Sequence, residues 1–382
     1  MTDPIQDVEA HVERMIGQIP AAPHRTRRVY DAMRAVPRHR FVPPLGQAFL
    51  GADEIEWIID RRARPDDWLA AVYSDSAIVT QVDDGNGEIV LGAGDPTSAA
   101  SAPSTVADLL GWLDPEPGHR VLEVGTGTGW TAALLSHLVG AANVTSIEVD
   151  PSVAEGAAKN LAAAGVQPHL IVGDGAAGWP DHAPFDRVHV TCGVHTVPQE
   201  WIVQSRPGAV IVLPYSTGLG DGHGLRLTVL PDGRAQGRFV GFAAYMPIRS
   251  QRPADAAPDD GSGQDLTTRI DPRLIACAPS GATLAMAAQT GLQVTTRQQD
   301  GRLLLWVMDQ ADPGTWTLVG HEPGLTEFSV YQLGDRPLWD EICDAYFRWV
   351  SWGEPVRDRF GMTVTGEGRR IWLDAPERVI SR

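Results

Sequence analysis

The chain has 382 residues, 43% of them hydrophobic and 21% charged, which is the composition of an ordinary globular protein long enough for two or three domains. Its net charge of −17 disfavours a nucleic-acid partner, because contacts with phosphate need positive surface, and no apolar run is long enough for a transmembrane helix, so no membrane partner is expected. The three widely separated cysteines suit neither a disulfide framework nor a metal site. Together with an N-terminus that lacks the pattern of a signal peptide, they predict a cytoplasmic protein without a bound metal.

The N-terminal region is predicted to begin with two amphipathic helices. They cover about residues 4–17 and 26–35, with Asp3 and Thr26 as their caps. A connector follows at 36–44, where prolines on either side of a basic and aromatic segment disfavour a helix. Its apolar residues are expected to pack on the core.

Residues 71–100 are predicted to be rich in loops, with one short strand at 89–91. The hydroxyl-rich run 96–104 then leads into a helix over about 104–113. Two interpretations of that run stay open: Ser101 or Ser104 caps the helix, or the run forms a polar lip over a ligand site.

From residue 119 the pattern alternates between strand and helix. The alternation predicts an α/β fold, with a Rossmann-like parallel sheet that has helices on both faces, preceded by N-terminal helices and followed by an added C-terminal α+β domain. Helices are predicted at 128–140 and 151–164. The predicted strands are 120–124, 144–149, 168–172, 186–192 and 208–213.

Three signals fall at the carboxyl ends of these strands, where ligands bind in parallel sheets. The first is the turn 125–129 with Glu123 before it, in which alternating glycines allow a tight turn and a close approach of a ligand to the backbone. The second is Glu148, which suits the ribose hydroxyls, whereas Asp150 is better placed to cap the next helix. The third is 173–175 (GDG), whose carboxylate can accept from an adenine amino group.

The C-terminal half is predicted to be built differently. Residues 225–245 read as antiparallel strands joined at Pro231-Asp232-Gly233, and 251–265 as a Pro-, Ala-, Asp- and Gly-rich linker. The remainder carries half of the tryptophans, expected mainly in the core of a small unit with a helix at 337–350. The predicted division is an N-terminal helical and substrate-loop region (1–115), a cofactor-binding core (116–250), the linker (251–265) and a substrate-recognition domain (266–382).

The glycine spacing separates two kinds of cofactor. A dinucleotide oxidoreductase has the pattern G-x-G-x-x-G, whereas here Gly125, Gly127 and Gly129 alternate, Glu123 precedes them, and Asp174 follows the third strand. This combination resembles the class I S-adenosylmethionine-dependent methyltransferases. The resemblance implies S-adenosylmethionine as the cofactor.

Further motifs, in the same order along the chain, resemble those of the protein-L-isoaspartate O-methyltransferase family over about residues 25–240. They are 36–43 (VPRHRFVP), 73–75 (YSD), 99–103 (AASAP), 173–178 (GDGAAG), 183–190 (APFDRVHV) and the segment from Pro198 and Trp201 to Pro214. The chain departs from the family in an expanded loop at 80–97, in Ala99-Ala100 where the family has Thr-Ile, in Thr191-Cys192-Gly193 after the fourth strand, and in the added residues 266–382. These departures resemble the branch that methylates an ordinary aspartate during the maturation of ribosomally synthesised peptides, in lanthipeptide or ATP-grasp-ligated (graspetide) clusters.

The resemblance implies an O-methyltransferase that esterifies an aspartate side chain in a modified precursor peptide, macrocyclic or not, and so leads to aspartimide and isoaspartate. The alternative is L-isoaspartyl protein repair. Ser101 is the implied catalytic residue, which orients the attacking carboxylate through a hydrogen bond. The implied cofactor-binding residues are Ala99, Ala100, Glu123, Gly125, Thr126, Gly127, Gly129, Glu148, Val149, Gly173, Asp174 and Gly175. The implied substrate-binding residues are Ser98, Thr191, Cys192 and His195.

His189, inside the fourth predicted strand, is interpreted as a core histidine with a hydrogen-bonded ring. Two other classes of function stay open. Nucleic-acid methylation is disfavoured by the charge and by the lack of an Asn/Asp-Pro-Pro-aromatic motif at the end of that strand. A non-catalytic peptide-binding protein is disfavoured by the intact glycine turn.

Overall fold

The computed structural model describes residues 7–50, 55–220, 222–253, 256–259 and 261–381. The chain divides into two compact units. The first comprises the residues up to 192 together with 198–213, and the second comprises 193–197 and the residues from 214 onward.

The N-terminal part of the first unit combines helices with a small antiparallel sheet. Its elements are α1 (Val8–Gln18), α2 (Arg27–Ala35), β1 (Leu45–Leu50), β2 (Ile55–Asp60), α3 (Pro65–Val72), β3 (Ser76–Val82), β4 (Pro96–Ala100) and α4 (Pro103–Leu113). The four strands pair in the order β2-β1-β3-β4. The connector after α2 forms one short 3₁₀ turn, and Phe41 and Val42 within it are buried, as predicted.

The local predictions in this part have different outcomes. Helix α1 is capped by Asp7, whose carboxylate accepts the N–H of Ala10, while Asp3 lies outside the described residues. Thr26 holds the cap position of α2 without a capping hydrogen bond from its side chain. Residues 89–91 form no strand, because the loop turns on itself, with the Asp83 carboxylate accepting the N–H of Asp95 at 2.8 Å, and leaves these apolar side chains without a neighbouring strand.

The remainder of the first unit is the predicted parallel sheet. Its elements are β5 (Val121–Val124), α5 (Trp130–Val139), β6 (Val144–Glu148), α6 (Pro151–Ala163), β7 (His169–Val172), β8 (Phe185–Val190), α7 (Gln199–Val203) and β9 (Ser205–Tyr215). The strands run parallel in the order β9-β8-β5-β6-β7, so the chain moves outward from β5 in one direction and returns to β8 on its other side. This reversal of direction creates a crevice at the carboxyl ends of β5 and β8.

The second unit is built from antiparallel sheets and helices. Its elements are β10 (His223–Val229), β11 (Ala235–Phe242), β12 (Gln264–Thr268), α8 (Arg273–Ala276), α9 (Ser280–Thr290), β13 (Leu292–Gln299), β14 (Arg302–Asp309), β15 (Trp316–His321), β16 (Phe328–Leu333), α10 (Leu338–Ser351), β17 (Phe360–Thr365) and β18 (Gly368–Leu373). One set of strands pairs in the order β10-β11-β17-β18, and a separate sheet has the order β12-β16-β15-β14-β13. The hairpin predicted around Pro231-Asp232-Gly233 joins β10 to β11.

The pairing of β11 with β17 joins residues far apart in the chain. Because Ala235–Arg238 pair with Gly361–Val364, the hairpin of β10 and β11 is continuous with the C-terminal strands β17 and β18, and the division of the chain given above stays a prediction. Four of the C-terminal tryptophans are buried and two are half-buried, which agrees with their expected place in a core. The buried ones are Trp316, Trp339, Trp349 and Trp372. Within the described ranges, no helix is both long and apolar enough to cross a membrane.

Candidate active site

The turn after β5 depends on its three glycines. Gly125, Gly127 and Gly129 have φ of 94°, 54° and 89°, a left-handed region that other L-residues rarely adopt. A Cβ on Gly125 would lie 2.6 Å from the Oγ1 of Thr191. The N–H of Gly127 donates to the Oε2 of Glu148 at 2.9 Å, which ties the turn to the end of β6.

Glu123 is fully buried at the end of β5. Its Oε2 accepts the hydroxyl of Ser146 at 2.6 Å, and that hydroxyl lies 2.6 Å from the Oγ1 of Thr126. Its Oε1 has no hydrogen-bond partner among the described residues. Burial raises the pKa of Glu123 to about 8, because an ionised carboxylate is poorly solvated there.

His189 lies beside Glu123 on β8, with its Nδ1 4.0 Å from the Oε1 of Glu123. It is buried as predicted, but the expectation of a hydrogen-bonded ring is wrong, since neither ring nitrogen has a partner within the described part of the chain. Burial lowers the pKa of His189 to about 3, so the imidazole is neutral at physiological pH.

The two acids at the end of β6 have different surroundings. Glu148 is buried, and besides Gly127 it accepts the N–H of Asp150 at 3.1 Å, while burial raises its pKa. Asp150 accepts the N–H groups of Ser152 and Val153 and so caps α6, as the sequence suggested. Val149 between them is 38% exposed.

The segment after β7 packs against the ends of β5 and β6. The N–H of Gly173 donates to the carbonyl of Glu148 at 2.9 Å. A Cβ on Gly175 would lie 2.5 Å from a methyl carbon of Val124, so only glycine allows this approach. Asp174 is exposed, with its Oδ1 accepting the N–H of Ala176 at 2.9 Å. The three sequence signals therefore meet at one edge of the sheet. We call this group of residues the cofactor cradle; it comprises Glu123, the turn 125–129, Glu148 and 173–175.

Residues 98–101, called the acceptor lip, lie at the end of β4 and just beyond it. A Cβ on Gly127 would be 3.4 Å from the carbonyl oxygen of Ala99, which places this strand against the glycine turn. Ser98 is buried, with its Oγ accepting the hydroxyl of Thr80 at 3.3 Å. Ala100 is also buried, while Ser101 is half-buried.

Capping of the following helix by Ser101 or Ser104, one of the two interpretations, is wrong. Ala102 holds the cap position of α4 and its side chain makes no capping hydrogen bond. The carboxylate of Asp75, from the segment before β3, accepts the N–H of Ser104 at 2.8 Å. The backbone carbonyl of Ser101 accepts a guanidinium N–H of Arg38 at 2.8 Å. The hydroxyl of Ser101 thus does not serve the helix.

Thr191 and Cys192 follow directly after β8 and differ in their contacts. Thr191 donates to the carbonyl of Gly125 at 2.5 Å and so braces the glycine turn. Cys192 is half-buried, and burial raises the pKa of its thiol, which keeps it protonated and unreactive.

His195 lies on the loop 193–197 of the second unit and is held through its backbone. Its N–H donates to the Oε1 of Gln251 at 3.0 Å, and its carbonyl accepts an N–H of Arg369 at 2.6 Å. Burial and the positive charge of Arg369 lower the pKa of His195. Sequence reasoning missed Gln251 and Arg369, since no local pattern links them to this loop, and it missed the carbonyl contacts of Arg38 although that residue belongs to the motif 36–43.

The polar groups of the cofactor cradle fit S-adenosylmethionine. A buried carboxylate oxygen without a partner, Oε1 of Glu123, suits the cationic end of this cofactor, and the glycine turn leaves the backbone accessible beside it. Glu148 and Asp174 provide further acceptors at the same edge. Among the residues that the structure describes, no cluster of three His, Cys, Asp or Glu side chains is arranged to hold a metal ion.

Comparisons with known proteins identify the family of the chain. The family model "Protein-L-isoaspartate(D-aspartate) O-methyltransferase (PCMT)" matches residues 58–250. The protein-L-isoaspartate O-methyltransferase of Methanopyrus kandleri is 34% identical over 243 residues, which cover 62% of this chain and 90% of the relative. That of Methylorubrum extorquens is 32% identical over 250 residues, covering 65% and 92%.

A solved structure of a protein-L-isoaspartate O-methyltransferase shares the fold, with a TM-score of 0.54, 20% identity and coverage of 96% of this chain and 100% of that one. The chain therefore belongs to the protein-L-isoaspartate O-methyltransferase family and is an S-adenosylmethionine-dependent protein carboxyl O-methyltransferase.

Proposed function

We propose that this enzyme esterifies the side-chain carboxylate of an aspartate in a ribosomally synthesised, modified peptide. The observation that supports the proposal is the small size of the acceptor lip. Ala99 and Ala100 stand where the family resemblance has Thr-Ile, directly before Ser101 and against the glycine turn. The half-buried side chain of Ala99 is smaller than threonine and leaves room for a carboxylate carried by a bulky or constrained backbone.

The chemistry asks little of the protein beyond positioning. An aspartate side chain, with an ordinary pKa near ~3.9, is already ionised at neutral pH and needs no general base. When bound, S-adenosylmethionine supplies an electrophilic methyl group. Ser101 donates a hydrogen bond to one carboxylate oxygen and thereby aims the other, and such orientation is the main contribution available to the protein.

The cradle residues have separate tasks in this proposal. Glu123 holds the cationic methionine end of the cofactor, Glu148 the ribose, and Asp174 with Gly175 the adenine. Because Glu123 is fully buried and the adjacent His189 is neutral, the attacking carboxylate meets no competing cation there. Exclusion of water strengthens the remaining electrostatic interactions.

The methyl ester determines the later fate of the peptide. The backbone nitrogen of the following residue attacks the ester carbonyl, an N–C bond forms, and methanol leaves, which closes an aspartimide without help from the enzyme. Water then opens the ring to aspartate or isoaspartate.

Repair of isoaspartyl residues is the second candidate, and family membership favours it. The solved structure that carries the isoaspartate methyltransferase name covers 96% of this chain, so an added C-terminal region does not by itself argue for peptide maturation. The two candidates differ in the acceptor, which is an ordinary aspartate in one and an isoaspartate in the other.

The C-terminal residues are proposed to take part in substrate recognition through the loop 193–197. Arg369 donates to the carbonyl of His195 and lies 3.2 Å from the hydroxyl of Thr196, and Gln251 bonds to both backbone N–H groups of these two residues. A loop held at four points is fixed in one shape, which suits a surface that must select one peptide.

The test uses four synthetic peptides of one sequence, with aspartate or isoaspartate at a single position, each linear or closed by a side-chain crosslink. Mass spectrometry follows the gain of one methyl group and then the loss of methanol. We expect the aspartate macrocycle to be methylated fastest, and the same macrocycle with asparagine at that position to be inert. Turnover of the isoaspartyl peptides alone, whether linear or closed, would establish repair instead.

A further inference from the structure

Arg38 is fully buried in the connector after α2. Arginine is seldom fully buried, because removing its charge from water costs several kcal/mol unless its donors are satisfied. Burial lowers the pKa of Arg38 to about 10, which still leaves it charged at neutral pH. A charge kept in such a place needs a reason beyond filling space.

The partners of Arg38 are five backbone carbonyls from three segments of the first unit. Nη1 donates to Val72 at 2.8 Å and to Ser74 at 3.4 Å, at the end of α3 and just after it. Nη2 donates to Ser76, the first residue of β3, at 2.8 Å. The same nitrogen donates to Ala100 at 3.1 Å and to Ser101 at 2.8 Å.

Arg38 also contacts the helix that follows the glycine turn. Its guanidinium lies 5.4 Å from the ring centre of Trp130, the first residue of α5 and the neighbour of Gly129. The indole N–H of Trp130 donates to the carbonyl of Val36 at 3.0 Å, two residues before Arg38. One side chain therefore connects the acceptor lip with the start of the helix behind the cofactor cradle.

We infer that Arg38 is a positioning residue for methyl transfer, which acts by holding the two carbonyls at Ala100 and Ser101 and so sets the direction of the Ser101 hydroxyl relative to the glycine turn. The inference rests on the proposed role of Ser101. The lip needs such a brace because Ser101 lies outside β4 and before α4, where no ladder or helix bond holds it.

The geometry requires a guanidinium. Its planar fork presents several donors in fixed directions, whereas a lysine ammonium is one compact charge that cannot reach carbonyls on three segments together. Arg38→Lys keeps the charge and removes the fork, so it separates the two contributions.

The experiment measures four variants: Arg38→Lys, Ser101→Ala, the double variant, and Arg25→Lys as a matched control. Arg25 is a part-buried arginine whose guanidinium donates to the carboxylate of Asp108 on α4 and to the carbonyl of Pro20, and not to the carbonyls of the lip. For each variant we measure the melting temperature and the affinity for S-adenosylhomocysteine by calorimetry. We also measure kcat and KM for the aspartate or isoaspartate peptide that the test above identifies as the substrate.

We expect Arg38→Lys to lower kcat by about 100-fold, the loss typical of a displacement of about 1 Å in a reacting group, with little change in cofactor affinity. In that background Ser101→Ala should cost little more, because the hydroxyl is already misdirected. Arg25→Lys should lower the melting temperature without changing kcat.

Three outcomes overturn the inference: an unchanged kcat in Arg38→Lys, full additivity in the double variant, or equal loss of cofactor binding and kcat. If Arg38→Lys does not fold, Trp130→Phe takes its place in the comparison with Ser101→Ala. This variant removes the hydrogen bond from the indole of Trp130, which lies against Arg38, to the carbonyl of Val36. An Ser101→Ala enzyme with full activity would refute the proposed role of Ser101, whereas an impaired Ser101→Ala beside an active Arg38→Lys refutes only the role of Arg38.

Discussion

The cofactor cradle and the acceptor lip belong to the same unit but are held in different ways. Cradle residues follow the ends of adjacent parallel strands and bond to one another, as Gly127 does to Glu148. In the lip, residues 98–100 pair with β3, whereas the carbonyl of Ser101, beyond the strand, is held by Arg38, more than sixty positions earlier in the chain. Sheet topology is enough to assemble the cofactor side, whereas the position of Ser101 on the acceptor side depends on a long-range contact with Arg38.

The electrostatic character of the two regions also differs. The cradle contains a buried carboxylate with one oxygen unpaired among the described residues, so its charge state depends on what binds. The lip is braced by a buried cation whose Nη donors are already taken by carbonyls. Changes in the lip should therefore alter turnover, and changes in the cradle should alter cofactor affinity and its pH dependence.

The sharpest separation of the two regions comes from Ser101→Ala. We expect it to lower kcat by about 100- to 1000-fold, because it removes the donor that aims the carboxylate, with cofactor affinity nearly intact. Calorimetry with S-adenosylhomocysteine and a methylation assay measure the two quantities. Ser104→Ala is the matched control, since the bond of Ser104 to Asp75 uses only its backbone N–H. Equal losses of affinity and turnover in Ser101→Ala would mean that the serine is only structural.

Gly125→Ala should act on the cradle instead. A Cβ there would meet Thr191 at 2.6 Å and would force a φ of 94° on alanine, so we expect cofactor affinity to fall by about 100-fold through strain of about 1–3 kcal/mol and displacement of Thr191. Gly118→Ala is the control, because it carries similar strain, with φ 84°, but has open space around its Cβ. If both variants bind the cofactor equally well, the turn does not form the cradle.

The pH dependence of cofactor binding tests the unpaired carboxylate. Because burial raises the pKa of Glu123 to about 8, the free enzyme holds a proton there at pH 7, and binding of a cationic ligand must release it. We expect affinity to fall by up to about tenfold for each pH unit below 8, with proton release detected by calorimetry in buffers of different ionisation enthalpy. His189 is neutral over this range and does not contribute.

Glu123→Gln is the control for this prediction. This variant should bind the cofactor weakly at every pH, and its affinity should depend less on pH than that of the parent. The sign for stability is opposite: a carboxyl group with a raised pKa contributes most below its ordinary value of 4.5, and that contribution is lost as the pH rises through 8. The melting temperature of Glu123→Gln relative to the parent should therefore increase from pH 5 to pH 9, and a constant difference would contradict the raised pKa.

The smallest effect is expected at the loop 193–197. Arg369→Ala removes two contacts of the guanidinium with His195 and Thr196, and we expect KM for the peptide to rise by about three- to tenfold with kcat unchanged, as for loss of about 1 kcal/mol of hydrogen bonding. Arg370→Ala is the neighbouring control, an exposed residue with only a 4.0 Å pair to Glu367. A change in cofactor affinity in Arg369→Ala would place the arginine outside substrate recognition.

The sequence predicted regular structure better than irregular structure. The parallel strands lie within a few residues of their predicted bounds, because buried strands alternate with helices of clear pattern. The predictions of a strand at 89–91 and of a cap by Ser101 or Ser104 are wrong, since these features depend on which partner lies nearby in space. Asp75, which receives the N–H of Ser104, is 29 residues away in the chain and gives no local sign of that role.

The candidate site also has features that follow from local sequence and features that depend on contacts between distant residues. The alternation of strands and helices and the spacing of Gly125, Gly127 and Gly129 by themselves determined the parallel sheet, its ligand-binding edge and the acids at that edge, because each depends on backbone geometry over a few residues. Only the tertiary structure decided that Glu123 and His189 lie side by side with no hydrogen bond between them. The same holds for the contacts by which Arg38 braces Ser101 and Arg369 braces His195. Those contacts join residues far apart in the chain, and burial, which sets their charge states, exists only once the chain is folded.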